Sequence, residues 1–381
     1  MSKPLRPSLS PTDWLERHWA TPSYGGWLLL GLGLCFFGAA TNTMAGWLYV
    51  LSGIIFALLT LGAWFPQQAL KAIELTRTAP APVSAGEDLT LSLQIFNRSK
   101  SPKTLLQLWD LLPPQLGRPQ GKSWESIPPQ QSAEWLYYQP TQQRGIYQWP
   151  GLEIRTGTPL GLFWCRRFFA LPTQAIVYPQ VLPLGQCPLL DDLGHEDSTR
   201  THSNQRYLAA NEGITKTLRP YRYGDSTRLI HWRSSARFDD FQVRELEIIT
   251  AGRELIIALD NGSDWPTEEF ERAVIAAASL YFYAVRAQLN TQLWSASTGL
   301  VSGSRAVLET LAALQFNQKQ SWDLPQDLPL LWLTSQPQSL QTLPATSRWL
   351  LFAEPEAGTA TGGLIIGPNE DLGLQLQRRC C

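Results

Sequence analysis

The chain has few of the residues from which metal and thiol chemistry is built: five cysteines and four histidines among 381 residues. Cysteines at 35, 165, 187, 380 and 381 form no CxxC pair, which removes zinc-ribbon and thioredoxin-type readings, and an odd count does not make a disulfide framework. Free thiols in a reducing compartment are the expectation. There is no Walker-type phosphate loop, no serine elbow and no cysteine-nucleophile signature, so the common nucleotide-hydrolysing and acyl-transfer classes lack their parts. A formal net charge of −1 gives no global field for a nucleic-acid or polyanion partner. At 44% apolar residues the chain can bury real cores, which excludes a disordered protein.

Charge is also missing locally, over two runs near the start. Residues 24–40 and 45–64 carry no Asp, Glu, Lys, Arg or His, and each is close to the roughly 20 residues a helix needs to cross a bilayer core. They predict a transmembrane hairpin over 25–65, with Trp27, Trp47 and Trp64 near the run ends, where indole rings settle at the headgroup level. Lys3, Arg6 and Arg17 precede the first run, Lys71 and Arg77 follow the second, and the turn between has neither. The positive-inside rule then places residues 1–24 and the soluble bulk in the cytoplasm, with the chain a multi-pass protein of the cytoplasmic membrane.

Residues 71–185 read as an all-β, sandwich-like domain of short alternating runs broken by prolines. Leu89, Leu91, Leu93 and Ile95 fall on one strand face and Thr90, Ser92, Gln94 and Phe96 on the other. Prolines at 113, 114, 128, 129, 172 and 179 are expected at edges and turns, and "RGIYQWPG" as a break between strands. The aromatics at 135, 137, 138, 147 and 149 are expected to pack rather than bind. Residues 186–212 read as a polar linker. Residues 251–370 alternate buried strands with helices, the grammar of a mostly parallel sheet. Phe270, Ala273, Val274, Ala277, Tyr281 and Ala284 recur at helical spacing, and Asp260 ends the first strand, at the carboxyl edge where such sheets bind ligands. Residues 371–381, with Cys380 and Cys381, read as a tail.

Between the halves, within 213–250, lies "LRPYRYGDSTRLIHWRSSARFDDFQVRELE", with six arginines and interleaved acids. Gly224-Asp225 is a turn pair, and Arg228, Arg233, Arg237 and Arg244 have acids such as Asp225, Asp239 and Glu245 close in sequence, so a self-neutralised salt-bridge motif is expected. Tyr221 and Trp232 offer rings on which guanidinium groups could stack. His231 next to a carboxylate could serve as a base, but no second catalytic group accompanies it, and a packed, hydrogen-bonded histidine is the preferred reading. If the charges are partly buried, Asp225→Ala and Arg237→Ala should each destabilise the fold.

The order Arg219, Tyr221, Gly224, Asp225, Arg228, His231, Trp232, Arg233, Ser235, Ala236, Arg237, Arg244, Glu245 closely resembles the signature of the bacterial "domain of unknown function 58" family. The resemblance implies two membrane spans, a β domain, and an α/β von Willebrand A-like domain with a mostly parallel sheet. It also implies a protein partner, a MoxR-type AAA+ ATPase, and no established catalysis. A metal-binding von Willebrand A domain would carry Asp-x-Ser-x-Ser after its first strand. Here "DNGSD" keeps Asp260, puts Gly262 and Asp264 at the serine positions, and leaves Ser263 out of step. Asp260, Ser263 and Asp264 would be the residues to hold Mg²⁺, and no tight site is expected of them. The resulting expectation is a cytoplasm-facing, non-catalytic scaffold or adaptor without cofactor or nucleic acid. The alternative is a metal-dependent hydrolase or phosphate-handling enzyme using Asp260, Asp264 and His231.

Overall fold

A computed structural model describes residues 16, 19–191, 214–222, 230–238, 240–247, 254–318, 329–344, 347–353 and 362–378. The chain divides into two compact units, Met1–Tyr178 and Pro179–Cys381.

The first unit begins with a two-residue strand, β1 (Thr21–Pro22), and two apolar helices, α1 (Tyr24–Thr43) and α2 (Gly46–Ala69). Ser23 caps α1 by accepting the Gly26 N–H at 3.3 Å. The helices close where Gly33 leaves room: a Cβ there would sit 2.9 Å from Ile55. Both are long and apolar enough to cross a membrane. Their outward rings and aliphatics, Trp27, Phe37, Trp47, Val50, Ile54 and Trp64 among them, are exposed, unlike those of a helix in a soluble core.

Eight more strands follow: β2 (Ile73–Arg77), β3 (Val83–Ser84), β4 (Asp88–Asn97), β5 (Lys103–Asp110), β6 (Gln120–Ile127), β7 (Ser132–Pro140), β8 (Gly145–Thr156) and β9 (Phe163–Tyr178). One sheet runs β2-β4-β7, and the other runs β1-β9-β8-β5-β6 with β3 beside β9. Alternation on β4 is as expected, with Leu89, Leu91, Leu93 and Ile95 buried. Leu93, Ile95 and Trp135 from the first sheet share a core with Leu106, Leu108, Leu152 and Ile154 from the second. Trp135, Tyr147 and Trp149 are buried and Tyr137 is packed against this core, whereas Tyr138 is exposed.

Two expectations are corrected here. The "RGIYQWPG" stretch is the first half of β8, and Pro172 lies inside β9, the long strand between β8 and β1. A register shift between Trp149 and Gly151 accounts for both. Pro150, Leu171 and Pro172 drop out of the ladder at a bulge, so no proline has to donate a ladder hydrogen bond. Gly151, at φ 154°, lets the partner backbone come too close for any Cβ.

Behind this bulge sits a buried charge. Asp110 is fully buried and accepts from Arg77, from the Tyr137 hydroxyl at 2.7 Å and from the Trp149 indole at 3.0 Å. Arg77, itself 3% exposed, also reaches the Thr173 hydroxyl and lies 5.2 Å from the Trp149 ring centre. Burial and then the Asp110 charge push the Tyr137 hydroxyl well above the ordinary phenol range.

The second unit opens with Leu184, Cys187, Leu189 and Leu190 buried in its main core, so the stretch expected as a linker starts inside that core. The Cys187 N–H donates to Tyr283 Oη at 3.1 Å. Residues 192–212 of that expected linker lie outside the described residues. Strands β10 (Ile214–Pro220) and β11 (Gln242–Glu247) pair antiparallel, with α3 (Trp232–Phe238) between them in sequence. Then come β12 (Glu254–Leu259), α4 (Thr267–Arg286), β13 (Asn290–Ser295), β14 (Gly299–Val301), α5 (Ser304–Ala313), β15 (Leu330–Thr334), β16 (Arg348–Leu351), β17 (Gly363–Ile365) and α6 (Leu372–Leu376).

The six-stranded sheet is ordered β14-β13-β12-β15-β16-β17, with every pairing parallel except β13–β14. Its central strands are apolar on both faces because both are covered. Leu255, Ile257 and Leu259 join the α4 face, while Ile256 and Ala258 join Trp294, Trp332 and Trp349 on the other. The six residues expected at helical spacing are all buried on α4.

Candidate functional site

β12 has β13 on one side and β15 on the other, so chain connections leave it in opposite directions, and the crevice beyond its carboxyl end is where such sheets take ligands. Asp260 is the first residue past that end. Its N–H donates to Leu333 O at 3.0 Å, and its Oδ2 accepts the hydroxyls of Ser263 and Thr334, each at 3.0 Å. Ser263 is therefore brought onto Asp260 despite its offset in the motif, and Thr334, from the end of β15, completes the group. Thr334 in turn accepts from the Gln336 N–H and the Ser339 hydroxyl.

Asn261, fully buried, holds the same edge to β13. Its amide donates to Ser297, to Gln315 O and to Gln318, and its Oδ1 accepts the Ala296 N–H at 2.8 Å. The sequence reading gave Asn261 no part in this site; its place next to the strand-ending aspartate was the signal that could have done so.

Mg²⁺ takes about six oxygens, of which the protein usually supplies one or two carboxylates while waters keep several positions. The converging group supplies one carboxylate and two hydroxyls. Ser335 stands after β15 with no carboxylate beside it, and its hydroxyl is spent on Asp264 O at 3.0 Å. Among the described residues, no group of three or more His, Cys, Asp or Glu is placed to hold a metal. As placed, Asp260, Ser263 and Thr334 form a hydrogen-bonded clamp between β12 and β15.

His231 has a different task. It precedes α3, and its Nδ1 accepts the Ser234 N–H at 3.2 Å while lying 2.7 Å from the Ser234 hydroxyl. An imidazole nitrogen that accepts the third N–H of a helix is acting as its cap, in the way a serine or aspartate would. Neither of these bonds reaches Asp260 or Asp264. Ser235 is buried and ties the helix to β11: its Oγ accepts the Gln242 N–H at 2.9 Å and donates to His231 O at 3.1 Å. The Tyr221 N–H donates to Phe241 O at 2.7 Å, and Ile230 bridges Val243.

This frame presents an aromatic step. Phe241 meets Tyr221 edge-on at 6.3 Å and Trp232 at 6.1 Å. Trp232 is 63% exposed, Phe241 52% and Leu218 40%, and Arg222, Arg233, Ala236 and Arg237 are exposed around them. Tyr221 and Trp232, expected as platforms for guanidinium groups, make ring-on-ring contact with Phe241, which the sequence reading left out. Among the described residues Arg233 and Arg237 form no ion pair. Arg219, half-buried, donates to Pro220 O, and the backbones of Arg244 and Glu245 pair with Leu218 and Thr217. Gly224, Asp225 and Arg228 lie outside the described residues, as do Asp239 and the Cys380-Cys381 pair.

Residues 217–339 match the family model described as "Protein of unknown function DUF58". This segment, about a third of the chain, is a DUF58 segment. The DUF58 segment takes in both surfaces just described, running from β10 and the aromatic step through Asp260 to Ser339, the residue that steadies Thr334. No curated protein matches the chain. Among solved structures, the CARDB domain of the PF1109 protein from Pyrococcus furiosus, crystallised with di-metal ions, is 10% identical with a TM-score of 0.20. That alignment covers 28% of this chain and 93% of that one. A beta-glucosidase from Listeria innocua in complex with glucose is 11% identical with a TM-score of 0.18, over 28% of this chain and 16% of that one. At such scores neither likeness bears on what the chain does.

Proposed function

We propose that this DUF58 protein is a membrane-anchored, cytoplasm-facing binding scaffold without catalytic activity, whose α/β unit is von Willebrand A-like and whose partner is a protein, a MoxR-type AAA+ ATPase. The exposed pair Trp232–Phe241 carries the reading. Large aromatic side chains held in water by a hydrogen-bonded frame, with arginines around them, have the composition that dominates protein–protein interface energetics. The strand order, with one antiparallel edge strand, supports the von Willebrand A-like assignment, and the two apolar helices support the anchor. Against the hydrolase alternative stand His231, engaged as a cap, and Asp260, tied to two hydroxyls.

The test is affinity capture of a purified MoxR-type ATPase by the full chain in detergent, with and without a metal chelator. Capture that is unchanged by chelator is expected. Absence of capture, or capture abolished by chelator and restored by Mg²⁺, would overturn the metal-independent scaffold.

Orientation is checked separately. The lysine and arginine placement predicts that a reporter active only outside the membrane, fused after residue 381, stays silent. A signal from it would invert the topology.

A further inference from the structure

We infer that the tip of the β8–β9 hairpin, Pro159–Phe163, is seated in the headgroup-to-acyl boundary of the bilayer that α1 and α2 cross, which makes it a third membrane-contacting element. The inference rests on the membrane-anchored reading above, and its ligand is the lipid surface itself.

The tip is fastened to the helices rather than standing clear of them. β1 pairs Thr21 with Trp164 and Pro22 with Phe163, and the Ser23 N–H donates to Leu162 O at 2.8 Å. A Cβ on Gly26 would run into that same carbonyl, and one on Gly62 would sit 3.3 Å from the Phe163 ring. Gly26 and Gly62 meet one tip, so they lie at one level of the helical pair.

That level sets the depth. Beyond Gly62 the side chains of α2 stay apolar through Phe65, and the first amide is Gln67. Gln67 is five positions beyond Gly62, about 7.5 Å of helix at ~1.5 Å per residue. The stretch from Trp47 to Phe65 rises about 27 Å by the same measure, close to the ~30 Å of a hydrocarbon core. A bilayer that covers this stretch must therefore reach past the level of the tip.

The tip's chemistry suits that place. Its sequence is Pro-Leu-Gly-Leu-Phe, uncharged, with Leu160 57% exposed. Trp19, Tyr24, Trp27, Trp64 and Phe65 are exposed at the same end of the hairpin, as rings in an interfacial belt would be. Backbone polar groups in lipid need internal partners, and several here have them. Gly161 N–H donates to Gly157 O at 2.7 Å, Thr158 N–H to the Thr156 hydroxyl at 3.3 Å, and Pro159 has no N–H. Charge begins directly behind the tip. Arg155 stacks on Trp164 at 4.3 Å, and Arg155 and Arg166, opposite each other in the ladder, share Glu16. An apolar point backed by arginines is the order in which a chain meets acyl chains, then headgroups.

The test places an environment-sensitive fluorophore on a cysteine at Leu160 in the full chain, with Cys35, Cys380 and Cys381 changed to serine, reconstituted in phosphatidylcholine vesicles. Leu160→Cys is expected to give blue-shifted emission that a nitroxide lipid labelled near the carbonyl level quenches more than one labelled near the acyl end. Gln142→Cys, exposed at the opposite end of β8 and β9, should emit as in water and resist both quenchers. A third sample, labelled at the native Cys35 within α1, separates the two hypotheses. If Cys35 is quenched and residue 160 is not, the tip inference fails alone. If neither is quenched, the membrane reading fails with it.

Discussion

Asp110→Ala is expected to unfold the β unit of the full chain in detergent while leaving the α/β unit intact. The change strands the Arg77 guanidinium, 3% exposed, without its counter-charge, and it removes the common acceptor of Tyr137 and Trp149. Breaking a buried pair by deleting one partner costs about 3–5 kcal/mol, a large fraction of the roughly 5–15 kcal/mol that holds a domain together. Tyr137→Phe removes one neutral donor from the same carboxylate and is expected to cost only about 1 kcal/mol. The chain carries its own reporters. Cys165 is fully buried in the core shared by the two β sheets, and burial pushes its thiol up, out of the reactive range; Cys187 is fully buried in the α/β core. Under native conditions Asp110→Ala should open Cys165 to alkylation, read by peptide mass, and leave Cys187 protected. Labelling of Cys165 at the parental rate would show that Arg77 finds other partners and that the pair is dispensable.

None of this could be read from the sequence, because Asp110 and Arg77 lie 33 residues apart and each looks like the polar end of a strand. What was legible is what period and composition encode locally. The two uncharged helices, the alternation on β4, the buried strands after residue 254 and the apolar stripe of α4 all came from patterns within one element. What was not legible needed two elements at once. Proline rules excluded Pro172 from a long strand, and only the paired bulge at Pro150 and Gly151 admits it. Thr334 lies 74 residues from Asp260 in sequence, and it is the β12–β15 pairing that brings them together. The family strip was legible as a signature but not as a shape. Its His231 and Ser235 serve helix α3 locally, while Phe241, the residue that organises Tyr221 and Trp232, was hidden behind two aspartates.

Within that strip the expectations for single residues now separate. Arg237, expected from the alternation of charges to be a structural pairing residue, is exposed in the last turn of α3 and has no ion pair among the described residues. Arg237→Ala should therefore cost about 0–1 kcal/mol and not the several degrees of melting temperature that a buried pair would forfeit. Trp232 and Phe241 invite the opposite test. Both are more than half exposed, so replacing them by alanine should shift stability by roughly 0.5 kcal/mol or little more. A central interface tryptophan, by contrast, is worth about 2 kcal/mol or more, roughly a 30-fold loss of affinity. The Trp232→Ala and Phe241→Ala pair is accordingly expected to abolish capture of the ATPase partner by the full chain while melting like the parent, and Arg237→Ala to weaken capture only slightly at high salt, where rim charges count least. Early melting of Trp232→Ala with capture intact would make the aromatic step a piece of the fold. The partner surface would then have to be sought elsewhere, first at the carboxyl edge around Asp260.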